Sequence, residues 1–209
     1  MFFEAGDGVP MTTVHWGDRK TGMVQATRMI ARACLGPFFR MRVRGIGNLP
    51  TSCAYVLLVK HQRWEDIPLL GLAVPNPLYY VAKAELFRSP WLGRYLASLG
   101  GIPLNRERPV ESRRSLRRIV EHLHGGEGVV IFPEGTYYPD RMGPGQTGLV
   151  RMVLARTHPP FLPVGIRYGR GARRIVEIRI GEPVPAETGK NVGLFVERMM
   201  EKIARLSGL

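Results

Sequence analysis

The chain has 209 residues, with 30 Lys plus Arg against 17 Asp plus Glu, a formal net charge of +13. That length suits one compact domain whose core is large enough to need no disulfide framework, and a composition 44% hydrophobic and 22% charged excludes a disordered chain. The two cysteines, Cys34 and Cys53, have no histidine partner at metal-ligand spacing, which argues against both a disulfide scaffold and a zinc site.

Residues 1–21 read as a flexible leader, broken by Gly6, Gly8, Pro10 and Gly17 and without a clear apolar period. Residues 22–39 read as an amphipathic helix and the turn after it. Met23, Ala26, Ile30, Ala33 and Cys34 share a face, Arg28 and Arg32 lie opposite, and Gly36-Pro37 ends the helix. Such a helix, followed by Phe38-Phe39, suits a membrane surface or packing on its own core. Arg40 to Arg44 alternates as a half-buried strand does, and Cys53 to Val59 is a continuous apolar run, as in a strand buried on both faces. Pro68 suits the first turn of a helix. Leu78–Val81 and Gly101–Leu104 read as strands. Leu116, Ile119, Val120 and Leu123 have helical spacing that Gly125-Gly126 stops. Val129–Phe132 and Phe161–Ile166 read as buried strands, 149–156 as a helix and Ile175–Ile180 as a half-exposed strand. Val192, Phe195, Val196, Met199, Ile203 and Leu206 mark a closing amphipathic helix.

Strands alternating with helices predict a single α/β domain with a mixed, mostly parallel sheet flanked by helices. The longest uncharged stretch, 67–82, carries Pro68, Pro75 and Pro77 and falls short of the ~20 apolar residues a spanning helix needs. The first residues include Glu4 and Asp7 and show no secretory pattern, so a cytoplasmic or peripheral protein is expected. The positive charge favours anionic partners. Arg supplies 25 of the 30 basic residues, and its flat fork matches phosphate. A GC-rich coding bias would also raise Arg, Gly and Pro together, and leaves the charge surplus in place.

Ligands of open α/β sheets sit outside the carboxyl ends of strands, and three such ends carry unusual residues. The 53–59 strand runs into Lys60-His61 and on to Asp66. In one straight helix His61 and Asp66 would stand ~140° apart, but across a strand-to-helix turn they can meet. An Asp bonded to one imidazole nitrogen leaves the other as a base. There is no G-x-S-x-G elbow and no cysteine at a strand end, so that base would activate a hydroxyl of the substrate itself. The same spacing also suits an ordinary turn pair or helix cap. Glu134-Gly135-Thr136 is a tight turn that can hold a phosphate or simply turn the chain. Arg106, after the third strand end, suits a bidentate phosphate clamp or a solvated position. The cluster 113–118 reads as a solvated helix face or a contact for an acidic surface.

Together these segments resemble the glycerolipid acyltransferases, typified by 1-acylglycerol-3-phosphate acyltransferase, over residues 40–185. His61-x4-Asp66 is similar to the family's His-x4-Asp block, Gly100-Gly101-Ile102-Pro103-Leu104-Asn105-Arg106 to its second block, and Phe132-Pro133-Glu134-Gly135-Thr136 to its third. Leu162-Pro163-Val164-Gly165-Ile166 is similar to its fourth, and Lys83-Ala84-Glu85-Leu86-Phe87 is also typical. The resemblance implies a glycerol-3-phosphate acyltransferase-like fold over 40–209. It implies that His61 deprotonates the acceptor hydroxyl and that Asp66 orients His61. Arg106, Glu134, Gly135 and Thr136 would bind the acceptor's phosphate end, and Pro163 would shape the acyl-donor site. The implied partners are acyl-CoA or acyl carrier protein as donor, a lysophospholipid as acceptor and an anionic membrane surface at the inner face, with no metal and no cofactor. Arg63, Asn105, Tyr137 and Gln146 stand where the family often has Ser, Asp, Arg and Lys, which bears on the acceptor headgroup. An acyltransferase for a lyso-lipid other than 1-acylglycerol-3-phosphate, or a non-catalytic lipid-binding protein on the same fold, is the alternative. Nucleic-acid binding is suggested by charge alone, with no recognised motif behind it, and no nucleic-acid partner is expected.

Overall fold

The computed structural model describes residues 19–105, 109–169, 174–185 and 191–209. The predicted leader therefore falls almost wholly outside the described residues.

Among the described residues seven strands form one sheet: β1 (Phe39–Arg44), β2 (Tyr55–Val59), β3 (Tyr79–Lys83), β4 (Gly101–Leu104), β5 (Gly128–Ile131), β6 (Phe161–Tyr168) and β7 (Arg174–Ile180). Their order is β1-β7-β6-β2-β5-β3-β4, and every neighbouring pair is parallel except β6 with β7. The sheet is thus mixed and mostly parallel, as the alternation of elements predicts. β2 lies at its centre, and all five residues of Tyr55–Val59 are buried. That is why its sequence is continuously apolar rather than alternating. Cys53 is exposed, so the strand begins two residues later than its apolar run. β1 is an edge strand with exposed Arg40, Arg42 and Arg44 alternating against half-buried Phe39, Met41 and Val43. Its row of arginines keeps that edge soluble.

Among the described residues six α-helices flank the sheet: α1 (Thr21–Leu35), α2 (Asp66–Ala73), α3 (Pro90–Ser98), α4 (Pro109–His124), α5 (Thr147–Leu154) and α6 (Val192–Ser207). Leu69, Leu70 and Val74 of the α2 region pack with Leu57, Val59, Val164, Ile166 and Ile178 on one face of the sheet. Leu116 and Ile119 of α4, Val150 and Val153 of α5, and Val196, Met199 and Ile203 of α6 pack with Val56, Leu58 and Val129 on the other. The helical spacings at 116–123 and 192–206 therefore mark core faces, and Arg113, Arg114 and Arg117 lie in solvent, as a charged helix face should. No clear period marks α3 in the sequence, because Trp91, Leu92 and Tyr95 share the exposed side with Arg94.

α1 is the exception to inside-out packing. The face carrying Met23, Ala26, Ile30, Ala33 and Cys34 points to solvent, whereas Val24 is buried. Arg28 lies toward the protein, where its guanidinium donates to the carbonyls of Val74 at 2.7 Å and Pro75 at 2.8 Å. It thereby satisfies backbone groups that the end of α2 leaves open.

Gly165 shows how tightly α6 sits on β6. A Cβ there would stand 2.4 Å from the carbonyl carbon of Leu206. Gly165→Ala should force that helix end off the sheet and lower stability by about 1–3 kcal/mol, the usual cost of overpacking. A urea midpoint unchanged from wild type would contradict this packing.

Candidate active site

β2 ends at the centre of the sheet, and the chain then turns at 60–65 into α2. Lys60 still pairs with the sheet through its N–H to the carbonyl of Val164, 2.9 Å away. His61 is the next residue, and Asp66 opens α2. The turn brings the pair together: His61 Nδ1 lies 3.1 Å from Asp66 Oδ2. The same oxygen accepts the backbone N–H groups of Gln62 at 2.6 Å and Arg63 at 2.8 Å. Asp66 thus closes its own turn, which is why an Asp at this spacing also reads as a cap. The helix N-terminus adds a favourable field for its charge. Its other oxygen, Oδ1, accepts the hydroxyl of Tyr168 at 2.6 Å. Asp66 is fully buried and His61 is 8% exposed, so the histidine keeps slight access to solvent and the carboxylate none. With Nδ1–H donated to Asp66, Nε2 keeps its lone pair and is the basic nitrogen.

The imidazole is held on its faces as well. Phe132 stacks on it with ring centroids 3.9 Å apart, and Tyr137 stands tilted at 4.3 Å. The phenol of Tyr137 is raised above its usual range by burial, then by the charges of Asp66 and Glu65. It stays a neutral neighbour.

The second strand end arrives beside the first. β5 runs into Phe132-Pro133-Glu134, and Glu134 is buried. One carboxylate oxygen accepts Lys60 Nζ at 2.7 Å and the N–H of Gly143 at 2.7 Å; the other accepts Nζ at 2.9 Å and the N–H of His61 at 2.9 Å. Lys60, also fully buried, donates further to the carbonyl of Tyr138 at 2.8 Å. The N–H of Tyr138 in turn meets the carbonyl of His61 at 2.9 Å. Both ends of the 133–138 turn are therefore fastened to the residue that presents the imidazole. Gly135 adopts φ +72°, a left-handed conformation that glycine takes without strain. Thr136 is exposed beyond it.

The remaining expected site residues are placed differently. Pro163 is buried within β6 opposite Leu58, and its carbonyl accepts the N–H of Gly181 at 2.8 Å. Arg106 lies outside the described residues. β4 does deliver the chain as far as Asn105. Sequence reasoning gave no role to Lys60, Gln62 or Tyr168. Gln62 is buried and links two segments, donating to the carbonyl of Ile166 at 2.6 Å and accepting from the N–H of Asp140 at 3.0 Å. A signal for Lys60 was present: a charge that ends an apolar strand without leaving the core needs a buried partner.

A model of the acyltransferase family matches residues 40–167, the stretch that holds all of these blocks. The chain belongs to the acyltransferase family. It is 38% identical over 143 residues to the 1-acyl-sn-glycerol-3-phosphate acyltransferase of Bacillus subtilis, covering 66% of this chain and 70% of that one. It is 37% identical over 107 residues to a lyso-ornithine lipid O-acyltransferase of Pseudomonas aeruginosa, covering 51% of this chain and 39% of that one. Its fold matches the crystal structure of the 1-acyl-sn-glycerophosphate acyltransferase PlsC from Thermotoga maritima, with a TM-score of 0.71 at 24% identity over 88% of this chain and 78% of that chain. The reaction class of this acyltransferase chain is O-acyl transfer, and the expected family and fold both hold.

The Lys60–Glu134 pair yields a prediction. Removing one partner of a buried ion pair leaves an uncompensated charge, at a cost of about 3–5 kcal/mol. Lys60→Met should lower stability by that amount in urea unfolding, and Lys60→Met with Glu134→Gln should recover part of it. A loss under about 1 kcal/mol in the single variant would contradict the burial of Glu134 as a charge.

Proposed function

We propose that the chain moves a fatty acyl group from a thioester, acyl-CoA or acyl carrier protein, to the free hydroxyl of 1-acylglycerol-3-phosphate, giving phosphatidate. The observation that carries this reading is the His61–Asp66 contact at the end of the central strand. His61 Nε2 takes the proton of the acceptor hydroxyl as its oxygen attacks the thioester carbonyl. Asp66 stabilises the imidazolium that forms. The tetrahedral intermediate collapses with release of the thiolate, which recovers the proton from His61. No protein nucleophile is needed, and neither cysteine is at this strand end.

Arg106 and the exposed turn at Gly135 and Thr136 would meet the acceptor's phosphate. Glu134 serves this reading differently from the original expectation. Its oxygens are taken up by Lys60, His61 and Gly143, so it holds the turn and His61 rather than touching the substrate. Pro163 would act through the sheet beneath the donor site. Arg63, Asn105, Tyr137 and Gln146, together with the named activity of the Pseudomonas relative, favour lyso-ornithine lipid as the second acceptor to try.

The test is acyl transfer from a long-chain acyl-CoA to lysophosphatidate and, in parallel, to lyso-ornithine lipid. His61→Ala should lose at least about 1000-fold in turnover while its unfolding midpoint stays near wild type. Arg106→Ala should raise the acceptor KM with little change in kcat. Turnover retained in His61→Ala would remove the base assignment, and an unchanged KM would remove the phosphate clamp.

The same reading places the protein on the inner face of a membrane, since its acceptor resides there. Among the described residues no helix is long and apolar enough to cross a bilayer. Contact would instead come from the outward face of α1, with Met29 74% and Ile30 63% exposed, and from Trp91 of α3, 82% exposed. Thr27 and Tyr95 join the two helices through their hydroxyls, 3.0 Å apart, and exposed Arg32, Arg88 and Arg94 lie on or beside them. Apolar side chains among arginines are what an anionic interface binds. Met29→Glu with Ile30→Glu should cut sedimentation with anionic vesicles at least fivefold and leave the unfolding midpoint unchanged. Undiminished sedimentation would rule out α1 as the contact.

A further inference from the structure

We propose that Tyr168 is a positioning residue for the reaction: its hydroxyl, bonded to the outer oxygen of Asp66, fixes that carboxylate and sets how strongly it draws on His61. The inference rests on the reading of His61 as the base. Tyr168 lies one residue beyond the stretch that matches the family model, at the last position of β6. β6 flanks β2 in the sheet, so its carboxyl end emerges beside the turn that carries the dyad, and the phenol spans to the first residue of α2.

The geometry of Asp66 makes this contact consequential. Oδ2 is shared by His61 Nδ1 and the two N–H groups of Gln62 and Arg63. The local turn supplies no donor to Oδ1, and Tyr168 meets it at 2.6 Å. A carboxylate held by one oxygen alone can rotate about its Cβ–Cγ bond. One held at both oxygens is fixed in plane, and so is the imidazole bonded to it. Tyr168 is itself gripped from two sides. Phe39 of β1 meets its ring edge-on at 6.2 Å, and the guanidinium of Arg63 lies over the ring, 5.0 Å from its centre. Arg63 thus contributes both its N–H to Asp66 and its side chain to the tyrosine that completes the carboxylate's shell. Burial, then the charge of Asp66 and the hydrogen bond to it, push the phenol far above its ordinary range. It therefore remains a donor at neutral pH.

The direction of the effect follows. A hydrogen bond to Oδ1 draws negative charge away from Oδ2. Its loss concentrates charge on the oxygen facing His61, so the imidazolium is held more tightly and gives up its proton at higher pH. Other charged or titratable groups also face this site. Tyr137 stands over the imidazole, Glu65 and Arg63 flank Asp66, and the Lys60–Glu134 pair lies beneath the backbone of His61. All are retained in Tyr168→Phe, so the variant isolates the hydroxyl.

The experiment compares wild type, Tyr168→Phe and His61→Ala with long-chain acyl-CoA and lysophosphatidate across pH. The His61 ring is titrated by NMR in labelled protein without substrate. Tyr168→Phe should lower kcat roughly tenfold with KM within about twofold. The acid limb of its rate profile and the NMR midpoint of the His61 ring should both move up by roughly half a pH unit. A kcat and midpoint equal to wild type would overturn the proposal while the base reading stood, provided His61→Ala is inactive. A lower kcat matched by lost thermal stability, with the His61 midpoint unmoved, would also overturn it, because Tyr168 would then be structural only. Turnover retained in His61→Ala would remove the base reading itself, and the substrate-free titration would still report whether the hydroxyl acts on the dyad.

Discussion

The carboxylate of Glu134 sits without water access between two strand ends, paired with Lys60, also without water access. Most of the site's order depends on that pair. Its oxygens reach the backbone of His61 from one side and of Gly143 from the other, so the 133–143 loop cannot drift from the end of β2 without exposing a buried charge. Buried pairs of this kind rarely add net stability over an apolar core, because the desolvation of both ions offsets their attraction. Their value is in singling out one arrangement. Here the arrangement chosen is one in which His61 meets Asp66 at the end of the central strand.

A mixed sheet suits this use. Five consecutive neighbours, β6, β2, β5, β3 and β4, run parallel, so the chain leaves β2, β5 and β6 at the same end. Each of these strands brings one part: β2 the imidazole, β5 the buried glutamate and the 133–138 turn, β6 a tyrosine. The antiparallel β7 and edge strand β1 then widen the sheet beyond the site. Phe39 at the start of β1 closes on the ring of Tyr168, so even the edge strand bears on the dyad.

How much of this the sequence shows depends on whether a residue's partner is near it in the chain. The strand and helix periods at 40–44, 55–59, 116–123 and 192–206 are local, and the structure follows them. His61 and Asp66 are five apart, close enough for a turn to be conceived that joins them. Glu134 is 73 residues from His61, and Tyr168 is 102 from Asp66. No spacing rule reaches that far without the sheet order. Hence Glu134 reads from the sequence as part of a phosphate-binding turn, whereas its oxygens face Lys60 and backbone donors. Lys60 was the readable clue, as a cation at the end of a fully buried strand. Tyr168 offered none, since a tyrosine closing a strand is ordinary.

The two exposed chemistries of the chain are also sorted by the sheet. α1 packs on α2 and the face of the sheet that holds Leu69 and Leu70, and turns its methionines and isoleucine outward. An amphipathic helix laid on its own core would do the opposite. Arg28 explains how the inverted helix is held. Its guanidinium reaches the carbonyls that end α2, so polar contacts fasten the inner face and leave the apolar face unspent. The alternating strand β1 puts its arginines on the side away from Met41, which itself packs with α2's face. The arginines of β1 thus lie on the side of the sheet opposite the one α1 covers. Under the proposed function, a membrane taking the outward face of α1 leaves those arginines facing water, where an anionic thioester donor would approach.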